Sequence, residues 1–141
     1  MSKVYLAMYK ARGNWVDKII RLFTGKPYSH CELAIQFGDK YQCYSSSPRD
    51  GGVRTKPMHL SADKWDLIPL AISGQKATAF YQKTKGKKYD FIGAIGCVLP
   101  LRQKPSRYYC SEWCYEAVFG QAPKEAISPN RLARILKERT Q

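Results

Sequence analysis

The stretch YSHCELAIQF, Tyr28 to Phe37, decides how this chain folds. Its odd positions Cys31, Leu33, Ile35 and Phe37 are all apolar, while its even positions Tyr28, His30, Glu32 and Gln36 are mostly polar. That period of two belongs to a β-strand with one face in a core. Gly38-Asp39 follows as a turn signal, and Lys40 to Ser47 returns as the second half of a hairpin. A two-residue turn sets the register, with Glu32 opposite Ser45 and His30 opposite Ser47. Ser45, Ser47 and Cys43 then share a face with His30 and Glu32, and Gln42 points to the other.

Working outward, Lys3 to Tyr9 alternates and reads as an earlier strand. Asn14 is a fair N-cap for a helix over Trp15 to Thr24, where Trp15, Ile19, Leu22 and Phe23 form one stripe and Gly25 closes it. On the other side, the loop PRDGG (Pro48 to Gly52) leads to strands around Val53 to Met58 and Trp65 to Leu70. Helical patterns follow over Gly74 to Thr84, Asp90 to Leu99, Ser106 to Phe119 and Pro129 to Lys137. Asp90 and Ser128 are the N-caps expected for the second and fourth of these, with Pro129 at the first helical position. No repeat or low-complexity segment interrupts the chain. The expected class is α+β, a meander of strands packed against helices.

Composition narrows the function. A chain of 141 residues fits one domain, residues 1–141, and 44% apolar with 13% aromatic residues excludes disorder. No apolar run approaches the ~20 residues of a membrane span, and MSKVYLAMYK lacks a signal-peptide core, so a soluble, cytoplasmic protein is expected. Cys31, Cys43, Cys97, Cys110 and Cys114 form no CxxC and no zinc spacing. All five are expected to be thiols, several of them plain core residues. No metal or cofactor is expected. The 24 Lys and Arg against 11 Asp and Glu leave a net charge of +13, which favours an anionic polymer or surface as neighbour.

Two residues stand out chemically. Cys110, Trp113, Cys114, Ala117 and Val118 share one helical face, which puts Cys110 in or near the first turn of its helix. There the positive end of the helix dipole favours thiolate, and Arg107 acts in the same sense. Read locally, Cys110 and Cys114 are equally well two small buried hydrophobes one turn apart. His30 lies on the polar face of its strand with Glu32 two residues on, and a carboxylate beside an imidazole can fix its tautomer and stabilise the imidazolium. For Cys110 and His30 to meet, the Cys helix is expected to pack on the even face of the His strand. His59 has no supporting carboxylate and reads as surface; Glu112 reads as a first-turn acid favoured by the dipole.

The segments YSHCELAI (Tyr28 to Ile35), KKYDFIGAIG (Lys87 to Gly96), YYCSEWCYEA (Tyr108 to Ala117) and ISPNRL (Ile127 to Leu132) carry a resemblance. Together they resemble the permuted papain-like branch of the NlpC/P60 superfamily, which contains the YiiX-type and lecithin:retinol acyltransferase-like proteins. In that group a His at a strand start comes first, then a Tyr-Asp segment opening a helix, a Cys-Ser-Glu at a helix start, and a Ser-Pro before the last helix. CYSSSPRDGGVR (Cys43 to Arg54) also looks like relatives encoded by tailed bacteriophages.

The resemblance implies a circularly permuted papain-like antiparallel sheet packed against helices. It also implies a thioester mechanism with Cys110 as nucleophile and His30 as base. The third group in such proteins is polar and sits on the next strand. Here Ser45 or Ser47 occupies that region, and Glu32 is the preferred orienter.

The expected activity is that of a cysteine hydrolase, a peptidase or amidase acting on a peptide or cell-wall peptide. Lipid or acyl-ester chemistry, by hydrolysis or acyl transfer, is the second enzyme reading. A basic nucleic-acid-binding or phage-structural module is the non-enzyme reading. Its support is the clusters Lys83, Lys85, Lys87 and Lys88; Arg102, Lys104 and Arg107; and Arg131, Arg134, Lys137 and Arg139. If the chain is phage-encoded, the cytoplasm in question is that of the infected bacterium. The sequence leaves the oligomeric state open.

Overall fold

A computed structural model describes residues 3–11, 27–89 and 108–139 of the chain. The elements run β1 (Val4–Tyr9), β2 (His30–Phe37), β3 (Lys40–Ser47), β4 (Gly52–Met58), β5 (Trp65–Leu70), α1 (Gly74–Thr84), α2 (Cys110–Phe119) and α3 (Pro129–Arg139). The expected helices over Trp15 to Thr24 and Asp90 to Leu99, with Asn14, Gly25, Asp90 and Cys97, lie outside the described residues. So do Arg102, Lys104 and Arg107.

The strands form one sheet in the order β4-β3-β2-β1-β5, with every neighbouring pair antiparallel. Phe37 stands opposite Lys40 and Leu33 opposite Tyr44, the register that a two-residue Gly38-Asp39 turn dictates. Gly38 has a φ of 63°, and no non-glycine residue among those described has a positive φ. Glycine alone at the first central position is the type II′ arrangement, whose twist matches that of the flanking strands.

The three helices among the described residues contribute to one core on one face of the sheet. Val4, Leu6 and Met8 of β1, and Cys31, Leu33 and Ile35 of β2, cluster with Ala77 of α1, Trp113 and Cys114 of α2, and Leu132 and Leu136 of α3. Each fully buried Leu in this cluster contributes about 1.5–3 kcal/mol relative to exposure. The opposite face is built differently. Ala7, Ala34 and Cys43 are fully buried there, with Tyr5, Tyr41, Met58, Leu60, Trp65 and Leu67 packed around them. Among the described residues no helix is long and apolar enough to cross a membrane.

The chain segment before residue 90 is laid against β4. Val53 N–H donates to Lys87 O at 2.8 Å, and Tyr89 N–H donates to Gly51 O at 2.9 Å. The backbones meet so closely at Gly52 that a Cβ there would lie 2.0 Å from Lys87 O. Tyr89 in turn bridges to Tyr108, and Tyr108 N–H donates to Lys88 O at 3.1 Å. The approach to α2 is thereby tied to the sheet.

Candidate active site

Sequence periodicity extends the Cys110 helix back to Ser106, but α2 begins at Cys110. Tyr108 and Tyr109 are extended because their backbones and side chains are engaged elsewhere. Besides the bond to Lys88, Ser46 Oγ donates to Tyr108 O at 2.5 Å, and Ile127 N–H donates to Tyr109 Oη at 2.7 Å. Tyr109 is the N-cap, with φ −96° and ψ 168°, and Gly120 closes the helix at φ 78°. Cys110 is therefore the first helical residue, where the dipole acts on it most directly. Ser111 Oγ donates to Ile127 O, which fixes the first turn against the segment before α3.

The ISPNRL motif has a plain structural job. Ser128 Oγ caps α3 by accepting from Arg131 N–H at 3.1 Å. Asn130 clamps the backbone of Tyr28: its Oδ1 accepts from Tyr28 N–H at 3.0 Å and its Nδ2 donates to Tyr28 O at 2.9 Å. Tyr28 Oη donates to Asp66 Oδ2 at 2.5 Å, and Lys10 Nζ reaches Asp66 Oδ1 at 2.8 Å. The chain entering β2 just before His30 is thus held from both ends of the sequence.

One expectation is corrected. Helix α2 packs on the odd face of β2, against Cys31, Leu33 and Ile35, and not on the even face that carries His30. The reason is burial. The odd stripe is continuously apolar, and covering it with the apolar face of α2 outweighs any single polar contact. His30 is nevertheless close enough to Cys110 for the two groups to interact electrostatically. His30 is the first residue of β2, next to Cys31, so the contact forms at the end of the strand and not across its face.

His30 Nε2–H donates to Glu32 Oε2. With Nε2 so engaged, Nδ1 is the ring nitrogen left for the thiol. Glu32 is fully buried, and Arg54 of β4 holds it in a fork: one guanidinium nitrogen donates to Oε1 and another to Oε2, the latter at 3.0 Å. Arg54 Nε–H donates to Asp50 Oδ2 at 2.7 Å, and Lys56 Nζ lies 3.5 Å from the same oxygen.

Electrostatics follow from this geometry. Hydrogen bonding from the Cys31 thiol holds Cys110 well below the ordinary thiol range; burial opposes this, and the charge of His30 adds to it. Burial alone would lower His30, but the Cys110 thiolate and the Glu32 carboxylate override it and push the imidazole up to about 10. Burial alone would raise Glu32, yet His30 and then Arg54 bring it below the usual carboxylate value. Cys31 itself is raised well above an ordinary thiol, chiefly by burial, so it serves Cys110 as a donor. These directions together favour a thiolate–imidazolium pair backed by an ionised carboxylate.

The structure therefore brings Cys110, His30 and Glu32 together. Ser45 stands opposite Arg54 and its Oγ donates to Cys31 O at 2.7 Å, so it braces the strand and does not orient the ring. Ser47 lines a cavity of about 160 Å³ beside His30, with Tyr9, Arg49, Lys56 and Trp65. Gln42 donates to Thr55 Oγ1 at 2.7 Å, away from the site. Glu112 is a buried acid in the first turn of α2, and His59 is exposed. Cys43 is buried and pushed up to about 12.

Two contributors were missed from the sequence, Arg54 and Cys31. The signal for Cys31 was its odd position beside His30. Arg54 becomes visible only once β3 and β4 are paired. Among the described residues no group of three or more His, Cys, Asp or Glu could hold a metal ion. Comparison of the chain with protein-family models and with curated proteins finds no match in either.

Proposed function

We propose that this protein is a cysteine-dependent hydrolase that works through a thioester, with a permuted papain-like arrangement of the NlpC/P60 kind. One observation carries the reading: a thiol at the first position of a helix lies close to an imidazole whose Nε2 is held by a buried carboxylate. In the reaction the Cys110 thiolate attacks a carbonyl carbon, and the charge on oxygen is met by the backbone N–H of Cys110 at the positive end of α2. The imidazolium of His30 protonates the leaving amine as the tetrahedral intermediate collapses to the thioester. Neutral His30 then takes a proton from water, hydroxide adds to the thioester, and Cys110 leaves as thiolate. Glu32 keeps the ring oriented and stabilises its charge throughout. An amide in a peptide or cell-wall peptide is the substrate class proposed.

The test uses 4-nitrophenyl acetate as an activated acyl donor and a peptide amide as the second substrate. The expected result is a burst of nitrophenolate, an acetyl group found on Cys110 by mass spectrometry, and slower turnover of the peptide. Cys110→Ala abolishes all three, a loss on the order of 10⁶-fold or to the detection limit. Retained turnover in Cys110→Ala, or alkylation of Cys110 by iodoacetamide no faster than that of Cys43, overturns the proposal.

A further inference from the structure

We infer that Arg54 is a positioning residue for this site: it clamps Glu32 against His30, and Asp50 in turn clamps Arg54. The inference rests on the hydrolase reading and extends it to two residues on a different strand and loop. The geometry is specific. Arg54 places two nitrogens on the two oxygens of Glu32 and turns its Nε–H to Asp50, so three donors of one planar group are fixed at once. Such a fork sets direction as well as charge, which a lysine ammonium cannot do.

The groups around Glu32 show why the clamp is needed. His30 faces it from its own strand, Cys43 from β3, and Arg54 and Lys56 from β4. Its partner on β1 is Ala7, which has no charge to offer. A fully buried carboxylate with only an imidazole beside it takes up a proton, because the isolated charge is too costly to keep. Once Glu32 is neutral the imidazolium loses its counter-charge and the Cys110 thiolate loses its stabilising cation. Arg54 thereby acts on the thiol through two intermediates, without touching the reacting atoms. Asp50 is a loop residue with 37% of its side chain exposed, and it forms the outer end of the chain.

The experiment is the pH profile of Cys110 alkylation by iodoacetamide, read by peptide mass spectrometry on the full chain, with thermal unfolding as a check of folding. Wild type is expected to react at a constant rate through neutral pH. Arg54→Met moves the midpoint upward by about one pH unit or more, about tenfold in rate on the rising limb. Arg54→Lys moves it less, and Asp50→Ala less again. A wild-type midpoint like that of an ordinary thiol overturns the hydrolase reading itself. A depressed wild-type midpoint that stays put in folded Arg54→Met overturns only the role of Arg54. Should Arg54→Met not fold, Asp50→Ala decides, because it leaves Arg54 and Glu32 in place: an unchanged midpoint there overturns the inference.

Discussion

On its helix-covered face the sheet presents Leu6, Met8, Leu33 and Ile35 to three helices; on the other it presents Ala7, Ala34 and Cys43 between large aromatic neighbours. The first face is a core in which an unpaired charge would be ruinous. The second tolerates a fully buried carboxylate because Arg54 and His30 can both reach it. Cys110 belongs to the first face, and His30, Glu32 and Arg54 to the second. Among the described residues the two chemistries meet at the end of β2. A nucleophile held by apolar packing and a base held by ion pairs are thus positioned by different forces, and their charges are coupled where they meet.

Truncating the first face is the harshest way to test this division. Trp113 is fully buried, its Nε1–H donates to Thr84 Oγ1 at 2.8 Å, and its ring lies 5.2 Å from Phe80. Trp113→Ala is expected to cost about 3–5 kcal/mol in urea unfolding. Met58→Ala, on the half-buried rim of the second face, is expected to cost about 1 kcal/mol. Equal losses would show that the two faces carry similar shares of the stability.

In what they contribute to stability, the ionisable groups of the two faces also respond to pH in different senses. The Glu32 contribution, from a lowered value, is complete above about 4.5 and is lost as the pH falls below that. The His30 contribution is complete below 6.5 and is lost as the pH rises toward about 10. Cys110, lowered from an ordinary 9.0, contributes in the opposite sense, fully above that value and less as the pH falls through its folded one. Between 6.5 and 9.0 the two changes offset, so wild type is expected to hold a plateau and decline only above it. Cys110→Ala removes both the offset and the thiolate's share of the rise in His30, so His30 is expected to titrate below its wild-type value when followed by NMR across this range. An unchanged His30 titration in the variant would show that the two faces are not coupled through this pair.

The smallest effect is expected at His59, the second histidine, which is exposed beyond β4. His59→Gln should leave unfolding within about 0.5 kcal/mol of wild type and the alkylation of Cys110 unchanged. A slowed alkylation would place a second imidazole in the site.

Much of the sheet could be read from the chain because alternation and turn chemistry agree along it. The bounds of β3, β5 and α1 coincide with the patterns at Lys40 to Ser47, Trp65 to Leu70 and Gly74 to Thr84. The start of α2 did not, since periodicity is blind to the backbone bonds that keep Tyr108 and Tyr109 extended. The side of β2 that α2 covers was written in the odd stripe; the expectation erred by letting one desired His–Cys contact outweigh three buried apolar residues. Arg54 was beyond the sequence altogether. Its place opposite Ser45, within reach of Glu32, depends on how the loop from Pro48 to Gly51 sets the register of β4.

The two edge strands carry one more consequence, for how copies of the protein behave beside each other. An open edge is a template on which another chain can add a strand and begin a growing aggregate. Here Gly86 to Tyr89 occupies the start of the β4 edge, admitted by the missing side chain of Gly52. Proline stands in both outer strands, Pro57 in β4 and Pro69 in β5, and in none of the three between them. A proline in an edge strand withholds the N–H that an incoming strand would need. A basic, cysteine-rich chain is in this way kept from zipping onto its own copies, and concentrated solutions of it should stay clear of fibrils.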